Sequence, residues 1–192
     1  MKIQPFYDFF DCCVGEWITE RTYHYLSHQE VERSRTEFAI APITRELKEK
    51  VLADNQYGDV DGLDSLPGFR LGFHTISETG EEVSQELRML FVPKVKEDRF
   101  LEGDYLRDRA YEEAKPIISH FRFGLTSREL LMTTRYTQVV SVDSITLVNP
   151  TLRIRRILNY QRPPVDDAPL QNVRLAGFGV EQKQKTETTV DD

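Results

Sequence analysis

The sequence predicts an all-β fold, a single antiparallel barrel or sandwich with a short helix in front of it. Three observations carry that reading. Apolar and polar residues alternate in one short segment after another. Turn signals separate those segments at fairly regular spacing. Helical spacing of apolar residues is confined to the start and to one crossover. With 192 residues the chain is long enough for one domain and a sizeable core.

The opening PFYDFFDCCVG places Phe6, Phe9, Phe10 and Cys13 on one face of a helix that Gly15 ends. EWITERTYHYL then alternates, with Trp17, Thr19, Arg21, Tyr23 and Tyr25 on one strand face. RTEFAIAPI is a second strand, RELKEKVLADNQY a second short helix, and GDVDGLDSLPG a loop. FRLGFHTISETGEEVSQELRMLFVPKV reads as two strands joined at Glu78-Thr79-Gly80-Glu81. FLEGDYLRDRAYEE and AKPIISHFRFG follow, and LLMTTRYTQVVSVDSITLV is one long strand or a bent pair. Asn149-Pro150 marks a turn, NPTLRIRRILNYQR the next strand, PPVDDAPLQN a polar loop and VRLAGFGVEQK a last strand. Residues 1–183 are expected to form one barrel domain and 184–192 a disordered tail.

Bulk properties exclude several classes. The net charge of −7 argues against a general nucleic-acid binder. No run of eighteen apolar residues exists, so no membrane-spanning helix is expected. MKIQPFYDFFDCC lacks the features of a signal or transit peptide. The only two cysteines, Cys12 and Cys13, are adjacent and form no disulfide framework, which fits a reducing compartment; they read as packing residues. His24, His28, His74 and His120 lack metal-ligand spacing, so no metal is expected. There is no G-x-S-x-G, phosphate-binding loop or dinucleotide fingerprint.

Four arginines crowd the strand after Asn149-Pro150: Arg153, Arg155, Arg156 and Arg162. Arg153 and Arg155 share one strand face. That face either meets water or lines a cavity that takes anions. A hairpin folded near Val148 or Asn149 puts Asp143 opposite Arg153 or Arg155. On the surface this is a weak cross-strand pair. Inside a barrel it is a polar station in an apolar wall, with arginine forks for carboxylates and an aspartate to accept N–H bonds or manage a proton. Arg21 shares a face with Trp17; it either meets solvent, or stacks on Trp17 to close the barrel end. Glu181 reads equally as an exposed edge charge. Gly15-x-Trp17, at the junction of helix and first strand, is the lipocalin-type mark: the glycine lets the backbone turn and the tryptophan plugs the floor. A small barrel of this kind is filled by side chains or holds one small ligand.

Together these stretches resemble the S-type phycobiliprotein lyases, the CpcS/CpeS chromophore lyases. FFDCCVGEWITERTYHYL is similar to that family's aromatic helix followed by G-x-W, an arginine and a histidine. GDYLRDRAYEEAKPIISHFRF resembles its LLRDRGYAE block, NPTLRIRRIL its NPNLRLR block, and AGFGVEQK its final strand. The resemblance runs from about residue 6 to residue 183. It implies an up-and-down, lipocalin-like or fatty-acid-binding-protein-like barrel of about ten strands. It also implies attachment of an open-chain bilin, phycocyanobilin being the first candidate, to a cysteine of a phycobiliprotein subunit, with β the expected subunit. Asp143 is implied as catalytic residue, Arg153, Arg155, Arg21 and Glu181 as bilin-binding residues, and Gly15 and Trp17 as structural ones. Two departures stand out. Phe69 and Phe73 occupy a strand where tryptophans are common, and position 143 is aspartate where glutamate is common.

On this reading the bilin is the substrate and no cofactor is needed. The partners are the bilin, the apo-subunit and either a second copy or a partner lyase, without nucleic acid or membrane. The place is a cyanobacterial cytoplasm, or a plastid stroma in an alga. The alternative is a non-catalytic bilin or fatty-acid carrier of lipocalin type.

Overall fold

A computed structural model describes residues 3–109 and 115–184. Its first element, α1 (Gln4–Cys13), buries Phe6, Phe9, Phe10 and Cys13, the face marked by their spacing. A ten-residue helix is marginal alone, and α1 has no side-chain bond at its N-cap. Docking holds it: Phe6, Phe9 and Phe10 pack on Phe69, Phe91, Phe121 and Phe123, and burial contributes roughly 1.5–3 kcal/mol per phenylalanine. The helix stops at Cys13. Gly15 then carries a φ of +126°, which lets the chain turn into the first strand.

The strands are β1 (Gly15–Tyr25), β2 (Glu30–Pro42), β3 (Gly68–Ser77), β4 (Glu82–Lys96), β5 (Phe100–Arg107), β6 (Ile117–Gly124), β7 (Glu129–Arg135), β8 (Val139–Asn149), β9 (Leu152–Gln161) and β10 (Val173–Lys183). Each pairs antiparallel with its neighbours in the chain, and β10 pairs with β1 to close a ten-strand barrel. The fold is thus the up-and-down barrel rather than a sandwich. The stretch from Leu130 to Val148 is two strands, parted where the Tyr136 N–H donates to the Val139 carbonyl.

Helix α2 (Arg45–Asp54) lies in the β2–β3 crossover and packs outside the barrel. Val51 and Leu52 meet Leu90, Val92 and Leu106 of β4 and β5. Beneath α2 both faces of these strands are therefore buried, at 90–92 of β4 and 105–107 of β5. The Lys48 ammonium, drawn under α2, donates to the carbonyls of Leu63, Asp64 and Leu66 and pins the loop. Opposite the irregular pairing at Pro93, a Cβ on Gly103 would stand 2.1 Å from the Val92 carbonyl oxygen. Only glycine fits there.

One register differs from expectation. Asn149 Oδ1 accepts from the Thr151 N–H and hydroxyl, which moves the hairpin turn on to Pro150-Thr151. Asp143 therefore faces Ile157, while Ile145 faces Arg155 and Leu147 faces Arg153. Asp143 is opposite neither arginine; it reaches Arg155 diagonally. Of the expected tail, the Gln184 N–H bonds the Glu16 carbonyl, and residues 185–192 lie outside the described residues. Among the described residues no helix is long and apolar enough to cross a membrane.

Candidate functional site

Helix α1 and Trp17 stopper one end of the barrel. Above them the strands enclose a cavity of about 390 Å³. Its apolar wall includes Phe38, Phe69, Phe73, Phe91, Met132 and Ile145. Its charged groups are Arg21, Arg107, Asp143, Arg153, Arg155 and Glu181. The arginine face of β9 thus looks inward. Alternation accounts for that: Arg153 and Arg155 point in, while Arg156, 61% exposed, pairs with Glu129 on the outer wall. A second concavity, outside β5–β7 and lined by Glu97, Arg99, Arg122 and Glu129, contains none of these groups.

Asp143 and Arg155 form a forked pair, Nε to Oδ1 at 2.8 Å and a terminal nitrogen to Oδ2 at 3.0 Å. Their side chains are 19% and 15% exposed, so they border the space a ligand takes. The fork fixes the carboxylate plane and aims the pair at the cavity.

Arg153 and Glu181 lie deeper. They are paired across β9 and β10, with Arg153 Nε and a terminal nitrogen 2.9 and 2.6 Å from Glu181 Oε2. Glu181 is 1% exposed, so it is a buried partner and not an edge charge. Burial works against the Arg153 charge, but the Glu181 carboxylate and the Cys13 sulfur outweigh it and raise its pKa. The cations over the Trp17 ring are Arg153, at 4.4 Å, and Lys183, at 5.1 Å, and not Arg21. Trp17 in turn donates to the Cys13 carbonyl, which ties floor to helix. Burial pushes the Cys13 thiol up, away from a reactive thiolate.

Arg21 approaches Glu181 only to 3.9 Å, and its buried Nε has no hydrogen-bond partner among the described residues. Two inward glycines on β10 make room for its side of the wall. A Cβ on Gly179 would press on Thr19 and Arg21, and one on Gly177 would strike the Tyr23 ring at 2.7 Å. Arg21 and Arg155 therefore flank β10, at Gly179, from the two neighbouring strands.

Sequence reasoning overlooked a further charged group. Arg107 of β5 is 2% exposed, donates to the Tyr136 hydroxyl at 3.0 Å and the Thr134 hydroxyl at 3.4 Å, and lies over the rings of Tyr105 and Tyr136. Alternation along FLEGDYLR, with Leu101, Gly103, Tyr105 and Arg107 on one face, was the signal that could have found it. Among the described residues no cluster of three or more His, Cys, Asp or Glu is placed to hold a metal ion.

The fold and its interior define the class, an up-and-down lipocalin-like barrel with a charged interior wall. Comparison with known proteins narrows it. The family described as CpeS-like protein matches residues 5–184. A relative from Synechococcus sp. (strain JA-3-3Ab), named chromophore lyase CpcS/CpeS 1, is 62% identical over 181 residues, covering 94% of this chain and 97% of that one. A chromophore lyase CpcS/CpeS from Thermosynechococcus vestitus is 26% identical, covering 77% of this chain and 80% of that one. Among solved structures, the S-type phycobiliprotein lyase CPES from Guillardia theta superposes with a TM-score of 0.74 at 16% identity, covering 95% of this chain and 94% of that chain. That likeness supports the barrel. The chain belongs to the CpeS-like family, the chromophore lyases of the CpcS/CpeS type.

Proposed function

We propose that the protein binds an open-chain bilin in this cavity and attaches it, through a thioether, to a cysteine of a phycobiliprotein subunit. The observation that carries the reading is the forked Asp143–Arg155 pair bordering an aromatic cavity, with Arg21 beside it and little committed. A bilin is an apolar conjugated chain with pyrrole N–H groups and two propionates. The aromatic wall suits its body. Arg155 and Arg21 suit the propionates as charge-assisted donors. Asp143 accepts from the pyrrole nitrogens and favours the protonated, more electrophilic pigment. Arg153 and Glu181 form the polar floor that carries this group.

The chemical step is an addition. The acceptor thiolate attacks the exocyclic carbon of ring A, a carbon–sulfur bond forms, the exocyclic double bond is consumed, and the thiol proton ends on the pigment. Nothing leaves and no oxidant is used. The lyase contributes orientation and charge placement. The setting is a cyanobacterial cytoplasm, where acceptor subunits are made.

The test mixes the protein with phycocyanobilin and an apo-β subunit and follows the covalent product by absorbance and mass. Acceleration at one cysteine is expected. Asp143→Asn should lose ligation more than binding. Tight binding without acceleration by the wild-type protein would make it a carrier.

A further inference from the structure

Taking the bilin reading as its basis, we propose that Arg107, oriented by Tyr136 and Thr134, is a second polar station, which hydrogen-bonds a terminal lactam carbonyl of the bilin. Strand order places it. Arg21 and Arg155 flank β10, and β5 is five strands from β10 in either direction around the ten-strand barrel. Arg107 therefore stands across the cavity from the pair that suits the propionates. A bilin folded into its ring-like form has the same polarity: both propionates on one edge, both terminal lactam oxygens on the opposite edge. Two walls match two edges.

The Arg107 guanidinium is held by hydroxyls at 3.0 and 3.4 Å and by two tyrosine rings at 5.2 and 5.8 Å. That clamp fixes its direction while it lines the cavity. Thr134 and Tyr136 line the same cavity beside it. Bound at both edges, the pigment cannot turn end over end, so one terminal ring is presented to the acceptor thiol.

The experiment titrates phycocyanobilin and its dimethyl ester into wild-type protein and into Arg107→Met, Tyr136→Phe and Thr134→Val. Arg107→Met should weaken both pigments by about tenfold, the size of one hydrogen bond to a charged donor. Tyr136→Phe should weaken both about threefold, because the clamp loosens. An Arg107 effect that disappears with the ester would assign this station to a propionate and overturn the proposal. If Arg107→Met fails to fold, unchanged affinity in both Tyr136→Phe and Thr134→Val overturns it equally. No binding by the wild-type protein sinks the bilin reading itself; normal wild-type binding with indifferent variants sinks only this one.

Discussion

Glu181→Leu gives the sharpest test of the floor. The carboxylate accepts from Arg153 at 2.9 and 2.6 Å and stands 3.9 Å from Arg21. Its removal leaves Arg153, 3% exposed, without its carboxylate, and takes from Arg153 and Arg21 the negative group that both approach. Breaking one partner of a buried pair costs about 3–5 kcal/mol, and the added repulsion puts this variant in the upper half, about 4–5 kcal/mol. Arg153→Met should cost less, about 3 kcal/mol, because Arg21 remains to face the carboxylate. The double variant removes both charges and loses mainly one of the two cations over Trp17, Lys183 remaining. It should lie within about 2 kcal/mol of the wild type, far short of the sum of the two. Urea unfolding supplies the free energies, and the melting temperature should fall by roughly 2–4 °C per kcal/mol. A Glu181→Leu cost under about 1 kcal/mol, or a double variant as unstable as the sum, would refute the reasoning.

Three further outcomes follow from the same coordinates. Gly103→Ala drives a Cβ to 2.1 Å from the Val92 oxygen, backbone against backbone, so it should cost at least about 3 kcal/mol in urea unfolding. Cys13 is buried, with its thiol pushed up by that burial, and Cys12 is half-buried; a thiol reagent at pH 8 should label Cys12 first and Cys13 only on unfolding. Burial, then the Glu32 bond, raise the Tyr25 phenol to about 12. A pKa raised in the folded state means that stabilisation present below about pH 10 is lost as pH rises through about 12; ultraviolet titration should show a late component that Tyr25→Phe reduces.

Local patterns made much of the fold readable. Helical spacing in α1, alternation in β1 and the turn at Glu78-Thr79-Gly80-Glu81 depend on residues close in sequence, and each stands where expected. The inward face of Arg155 was an open choice, because alternation tells which residues share a face but not which face meets the core. Two features were out of reach for a different reason. The β8–β9 register turned on one side-chain bond from Asn149, and that shifted the Asp143 pairing. Glu181 looked like a free edge charge because its partner lies 28 residues earlier and the strand only becomes interior when the barrel closes. Arg107 was legible by alternation, since it shares a face with Leu101, Gly103 and Tyr105.

The sheet that returns on itself leaves no strand with a free margin. Peeling any one strand away breaks two ladders at once, so the staves are poor doors. Whatever enters or leaves the hollow passes between the hairpin tips at the unstoppered end. Residence time of a guest is then a property of those tips, and engineers wishing to speed release should shorten loops there and leave the staves alone.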